Sequence, residues 1–330
     1  MKRREFIGLV GSVAVLPLAA WAQQPAKMKR IAMVHPSSKV DDLTINGRYK
    51  AFFQELTHLG WVEGKNLTVE RYSGEGRTER YAELARHVVS SNSDLIFAIA
   101  GPLALSFKAA TTTIPIVTVT ADPIAIGLVP SIAHPGGNVA GIAVDGGLEI
   151  LGKRIGLLIE ATSKPSNAGY LASRGNWERP IGAAAREAAE RAGISMRGEL
   201  LTSFNDDEYR RVFGALKQDR VDAIIVSEES EHITYRELLV ELVAKSSVPA
   251  VYPYREFVEV GGLISYSIDL AAAYRRLANL VDDILKGANP ADIPFYQQTK
   301  FELIINLKTA KALGLELPAM LLGRADEVIE

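Results

Sequence analysis

Asp122-Pro123 follows directly on an apolar, β-branched run, Ile116 to Val119. A carboxylate there could take a proton or meet a cationic group on a ligand, while Asp-Pro as readily fixes a turn. His35 stands at the end of a similar run, Arg30 to Val34, and with Asp122 makes the acid–imidazole pairing that an enzyme would need. His35 is equally compatible with a plain turn. Trp177, Tyr252 and Tyr254 fall at strand ends rather than on helix stripes, where aromatic rings can enclose an apolar or planar group. Arg255 beside them can pair with a ligand carboxylate or with Glu256. Asp206-Asp207 follows Ser203 and Asn205 and reads as a helix start, and Asp282-Asp283 as a solvated helix face.

The other chemical signatures are missing. No G-x-x-x-x-G-K-[ST] loop, no G-x-G-x-x-G after the first strand and no G-x-S-x-G elbow occurs. The five histidines, at 35, 58, 87, 134 and 232, have no metal-ligand spacing, and there is no cysteine for a thiolate site or a disulfide. Neither a metal nor a cofactor is expected.

The elements that must position these residues alternate. Strands are expected at 30–34, 66–71, 94–99 and 114–119, with helices over 43–59, 77–90 and 102–110 between them. Gly136-Gly137-Asn138 forms a turn, and Val139 to Val144 a connecting strand. The pattern then restarts: helices over 149–160, 181–192, 206–218 and 234–245 alternate with strands at 168–172, 195–200, 223–226 and 249–252. This order predicts an α/β fold of two Rossmann-like lobes, each with a parallel central sheet. The late strand at 262–266, helix over 270–287 and strand at 301–305 return to one lobe or the other. In such sheets ligands bind beyond the carboxyl ends of the strands. That selects His35 and Ser37 after the first strand, Gly101 and Pro102 after the third, and Thr120 and Asp122 after the fourth. In the second half it selects Trp177, the Ser227–Ser230 turn, Tyr252 and Arg255.

Residues 1–22 have the three parts of an export signal: basic Lys2, Arg3 and Arg4, an apolar stretch from Phe6 to Leu18, and Ala20-Trp21-Ala22 before a cleavage point at Gln23. Arg3-Arg4-Glu5-Phe6-Ile7 resembles a twin-arginine leader. The expected location is therefore periplasmic. Loss of the leader removes three basic residues and one acidic, taking the formal charge from −2 to −4. That balance argues against nucleic acid or an anionic membrane as partner. The remaining 308 residues are enough for two domains.

Several stretches carry a family resemblance. They are Phe53-Gln-Glu-Leu-Thr-His-Leu-Gly-Trp-Val-Glu-Gly-Lys-Asn66, Thr113 to Val117 with Asp122-Pro123 and Gly127-Leu128, His134-Pro-Gly-Gly-Asn-Val-Ala-Gly141, and Tyr252 to Tyr266. The run Thr299-Lys-Phe-Glu-Leu-Ile-Ile-Asn-Leu-Lys-Thr-Ala-Lys-Ala-Leu-Gly314 is the most specific, and Arg324 to Glu330 closes the match. Together they resemble the ABC transporter substrate-binding protein family, type I periplasmic binding proteins related to tryptophan-binding lipoproteins.

The resemblance implies two lobes joined by crossing segments, with lobe 1 at 28–141 plus 254–287 and lobe 2 at 142–253 plus 288–330. Hinges are expected near Gly141–Asp145, Tyr252–Tyr254 and Gly287–Pro294. It implies a small-molecule ligand held in the interlobe cleft and delivered to an ABC permease driven by a separate ATPase. Hydroxyls and amides after the third and fourth strands would hold a ligand carboxylate, and Glu228 would meet an amine. Ala100-Gly101-Pro102-Leu103 lacks the hydroxyl that relatives place there, so an aromatic or branched-chain acid, or an amide, fits as well as an amino acid. An exported α/β enzyme using Asp122 and His35 is the alternative. A DNA-binding regulator is disfavoured, since no helix-turn-helix precedes Ile31.

Overall fold

The computed structural model describes residues 28–41, 43, 47–144, 148–162, 165–298 and 300–330. The expected export signal lies outside them, as does Asp42 of the Asp41-Asp42 pair.

Thirteen strands form among the described residues. They are β1 (Lys29–His35), β2 (Leu67–Ser73), β3 (Leu95–Ile99), β4 (Ile116–Thr120), β5 (Val139–Ala143), β6 (Asn167–Ser173) and β7 (Ser195–Leu201). β8 (Ala223–Val226), β9 (Ala250–Tyr252), β10 (Ile264–Ile268), β11 (Tyr296–Gln297), β12 (Phe301–Asn306) and β13 (Glu327–Ile329) follow. The helices are α1 (Gly47–His58), α2 (Tyr81–Ser90), α3 (Gly101–Ala110), α4 (Glu149–Ala161), α5 (Arg174–Trp177), α6 (Pro180–Arg191) and α7 (Asp206–Gln218). Then come α8 (Ser230–Thr234), α9 (Arg236–Ser246), α10 (Arg255–Glu259), α11 (Leu270–Leu285), α12 (Leu307–Ala312) and α13 (Ala319–Leu322).

The strands make two sheets, in the orders β11-β5-β4-β3-β1-β2 and β13-β12-β10-β9-β8-β6-β7. Every pairing is parallel except β10 with β12. Parallel sheets need helices on both faces, which is why β3 (Leu-Ile-Phe-Ala-Ile) and β4 (Ile-Val-Thr-Val-Thr) are buried at every position rather than at alternate ones.

The expected lobe boundaries differ from the observed pairing in two places. β10 joins the second sheet between β9 and β12, although 254–287 was expected with the first lobe. Of that segment α11 alone crosses back: it packs on α1, with the Tyr49 and Tyr274 rings 5.5 Å apart edge to face and Trp61 Nε1 donating to Asp282 at 2.8 Å. In turn β11, expected in the second lobe, pairs with β5 in the first. The chain therefore passes between the sheets after Ala143, at Asp269 and between Gln297 and Phe301. Tyr252–Tyr254 is not a crossing, because Tyr252 is fully buried in the second sheet and stacks on Phe257 at 5.2 Å. The 287–294 segment stays on the first lobe, leading into β11. Strand and helix periodicity defines each element but not the sheet that will accept it, which explains why these swaps were hidden.

Candidate functional site

A cavity of about 590 Å³ lies between the two sheets, where the carboxyl ends of β3, β4, β6 and β8 point toward one another. That volume suits a small organic molecule. Ile99, Val119, Val144, Leu148, Phe204 and Leu270 give it apolar walls, and polar groups are gathered at a few points.

On the first-lobe side β3 turns into α3 through Ala100, whose backbone sits at φ 84° and ψ 139°. That conformation favours glycine and is strained for alanine. The next residue is a glycine for a spatial reason. A Cβ on Gly101 would lie 2.5 Å from Thr120 Oγ1 and would also collide with Ile126. Thr120 is nearly buried at the end of β4. Asp122 lines the cavity, but its Oδ1 accepts from the amides of Ile124 and Ala125 at 2.9 and 3.0 Å, closing the turn that the Asp-Pro pair suggested.

The second-lobe wall is acidic. Ser227-Glu228-Glu229-Ser230-Glu231 leaves β8 and starts α8. Glu228 is tied to the buried Arg154 of α4 by a short ion pair, and Arg154 Nε also donates to the Tyr266 carbonyl at 2.9 Å. Glu228 Oε2 is buried without a hydrogen-bond partner. Glu229 accepts from the Ser173 amide at 2.9 Å, Ser173 Oγ at 2.5 Å and Ser227 Oγ at 2.7 Å. Burial alone would raise its pKa, but hydrogen bonds from His232 and Ser173 outweigh it and hold the carboxyl below its usual value. Glu231 is held more weakly, accepting from Ser230 Oγ at 3.1 Å and the Tyr81 hydroxyl at 3.4 Å. Burial first, and the charge of Glu229 second, push its carboxyl up to about 7.

The expected contacts divide evenly by place. Gly101, Pro102, Thr120, Asp122 and Glu228 line the cavity. His35, Ser37, Trp177, Tyr252 and Arg255 lie outside its lining, each for a visible reason. His35 is fully buried, and its Nδ1 accepts from the amides of Ser37 and Ser38 at 3.0 and 2.7 Å. Burial, with the nearby Arg48 charge, lowers its pKa far enough to keep it neutral. The hydroxyl of Ser37 faces Thr234 of α8 at 3.1 Å, making a contact between lobes. Trp177 packs on Gly198 and lies under the Arg186 guanidinium at 4.3 Å. Tyr252 is core, and Arg255 is bound to Glu259, Glu302 and Glu327 at the surface. The acid–imidazole pair of the enzyme alternative is therefore not assembled: Asp122 is at the cavity and His35 is locked in its own turn.

Several lining residues had no signal in the sequence, four of them polar groups or rings that matter to the site. Arg48 and Tyr274 come from the α1–α11 pairing, while Tyr81 and Glu231 face each other across the lobes. No helix among the described residues is long and apolar enough to cross a membrane, and none of their acids and histidines form a group of three able to hold a metal.

The family model described as ABC transporter substrate binding protein matches residues 37–329, which hold the cavity lining and every strand of the two sheets except β1. The chain belongs to this family. As an ABC substrate-binding protein it has two kinds of partner, a small-molecule ligand and an ABC transporter's membrane permease. Such proteins typically work outside the cytoplasm. A tyrosine-binding protein of Clostridioides difficile (strain R20291) is 26% identical over 301 residues, which cover 88% of this chain and 82% of that protein. A solved structure from Streptococcus pneumonia, an ABC domain in complex with L-Trp, is 26% identical with a TM-score of 0.80. It covers 92% of this substrate-binding protein and 100% of the solved chain. A conserved domain protein from Vibrio cholerae also has a TM-score of 0.80, at 22% identity over 92% of this chain and 100% of the other, and shares the fold.

Proposed function

We propose that this chain is the periplasmic solute-binding component of an ABC importer. It takes a small organic solute into the interlobe cavity and presents it to the permease. The solute is an amino acid, an aromatic or branched-chain acid, or a related amide. The observation that carries this reading is the 590 Å³ interlobe cavity, with apolar walls wide enough for a ring or branched chain and charged groups on both lobes. The tyrosine-binding relative and the L-Trp complex support an aromatic amino acid as the first ligand to test.

Gly101, Pro102, Thr120 and Asp122 form the first-lobe floor of the binding site, with Glu228 and its neighbours opposite. Because Arg154 already neutralises Glu228, an ammonium group on the ligand is met by Glu229 and Glu231 instead. The lobes, 29–143 with 270–297 and 148–268 with 301–329, close about the three crossings of the chain. Residues 1–22 direct export, by the twin-arginine or the general secretory route, and are removed before Gln23.

The test is a thermal-shift screen of amino acids, aromatic and branched-chain acids and their amides, followed by calorimetry on the hits. A true ligand at 100 times its Kd raises stability by about 2.7 kcal/mol. If none of the panel shifts the melt, the reading falls. Unchanged small-angle scattering on ligand addition would remove closure alone. N-terminal sequencing of the exported protein checks the cleavage point.

A further inference from the structure

Arg48 is a buried cation at the cavity, and the described residues around it leave it short of a counterion. It stands in the first turn of α1, is 5% exposed, and lines the cavity. Nη2 donates to the Tyr49 hydroxyl at 3.1 Å, and the guanidinium lies 4.8 Å from the Tyr49 ring and 6.0 Å from that of Tyr274. Nε is buried with no hydrogen-bond partner.

Phenols orient a guanidinium without neutralising it. Among the described residues no carboxylate forms an ion pair with Arg48. Glu256 is near enough to be felt electrostatically, yet its Oε2 is itself buried and unpaired, and burial raises its pKa toward the neutral acid. Two other buried ionic groups in this region are matched: Arg154 holds one oxygen of Glu228, and Ser173, Ser227 and His232 hold Glu229. A buried charge without a partner is costly unless something arrives to compensate it.

We propose that Arg48 is the specificity-determining anchor for an anionic group on the solute, so that the transported compound carries a carboxylate or similar monoanion seated against the α1–α11 corner of the cavity. This rests on the solute-capture reading above and narrows it. The anion is placed on a side chain that strand-end reasoning did not select, rather than on the hydroxyl and amides after β3 and β4. Tyr49 and Tyr274 act as positioning residues, since they fix the guanidinium plane.

The experiment compares calorimetric affinities of three matched pairs, L-tyrosine with L-tyrosinamide, L-tryptophan with L-tryptophanamide, and L-leucine with L-leucinamide, for the wild type, Arg48→Gln and Arg48→Lys. One charge-assisted contact corresponds to a preference for acid over amide of roughly 10- to 100-fold. The wild type should show that preference, Arg48→Gln should lose it while keeping its amide affinity, and Arg48→Lys should recover part of it. A merely structural arginine would weaken acid and amide alike in Arg48→Gln, which overturns the proposal. So does a wild type that binds both members of a pair equally. If Arg48→Gln does not fold, the acid–amide ratios of the wild type and Arg48→Lys decide. A wild type that ignores all six compounds but binds an uncharged solute overturns the anchor and leaves solute capture standing. One that binds nothing overturns both.

Discussion

Tyr81 and Glu231 meet across the interlobe cavity, the phenol hydroxyl donating to Glu231 Oε1 at 3.4 Å. One begins α2 on the first sheet, and the other lies in α8 at the end of a second-sheet strand. The contact joins the two lobes at an acid that burial has already pushed toward its neutral form.

A pH dependence follows from Glu231. Its carboxyl titrates at about 7 in the folded protein against a usual 4.5, because of burial and then Glu229, with His232 and Ser230 opposing. The native state thus holds a proton that the unfolded chain releases. The stability it confers is full below the unfolded value and is lost as pH rises through about 7. Ligand-free melting temperatures should fall from about pH 5 to about pH 8, and Glu231→Gln should flatten that slope, gaining up to about 3 kcal/mol at the alkaline end. Parallel melting curves for wild type and variant would remove Glu231 from the account.

Thr234 is a clasp between lobes. Its hydroxyl lies 3.1 Å from Ser37 Oγ and 3.0 Å from Ser38 Oγ. Thr234→Val keeps the shape and removes both hydrogen bonds, each contributing about 0.5–1.5 kcal/mol. Ligand should leave roughly 10-fold faster, by stopped-flow fluorescence, with little change in the rate of binding. An unchanged release rate would mean that the clasp does not hold the closed form.

The Arg154–Glu228 pair should matter to folding more than to ligand. Arg154→Met leaves a buried carboxylate unmatched and should cost about 3–5 kcal/mol in urea unfolding. Adding Glu228→Leu should restore much of that loss, since the uncompensated charge is then gone. Additive losses in the double variant would contradict this.

Ala100 and Gly101 should respond in opposite directions. Ala100→Gly relieves the strained φ of 84° and should stabilise the protein by about 1 kcal/mol, or about 2 °C in Tm. Gly101→Ala drives a methyl into Thr120 and Ile126 at the cavity floor and should weaken ligand binding at least about 10-fold. Calorimetry and melting on the two variants separate these effects.

Much of the chain was legible before the fold. The expected helix over 206–218 is α7 to the residue, because Asn205 caps it and its buried stripe of Tyr209, Val212, Phe213 and Leu216 has helical period. The strand at 223–226 is β8, an unbroken apolar run. Strand-end reasoning placed Gly101, Pro102, Thr120, Asp122 and Glu228 at the cavity, since the ends of parallel strands face the same side. The helix expected over 234–245 is α9, shifted by one or two residues at its ends, while the short α8, β11 and β13 escaped notice because two to five residues carry little period.

Local spacing and the runs matched by the family model determined the class of fold, the family and the side of the sheets where a ligand must sit. Side-chain pairing is a matter of distance in space, and there the linear order was silent. His35 and Tyr252 look like ligand contacts until amides and a stacked ring are seen to occupy them. Arg48 looks like any solvated helix residue until α11 returns, more than 200 residues later, to bury it beside Tyr274. Only the tertiary structure decided which buried charges are answered within the protein, as Glu228 is by Arg154, and which, like Arg48, have no ion pair among the described residues.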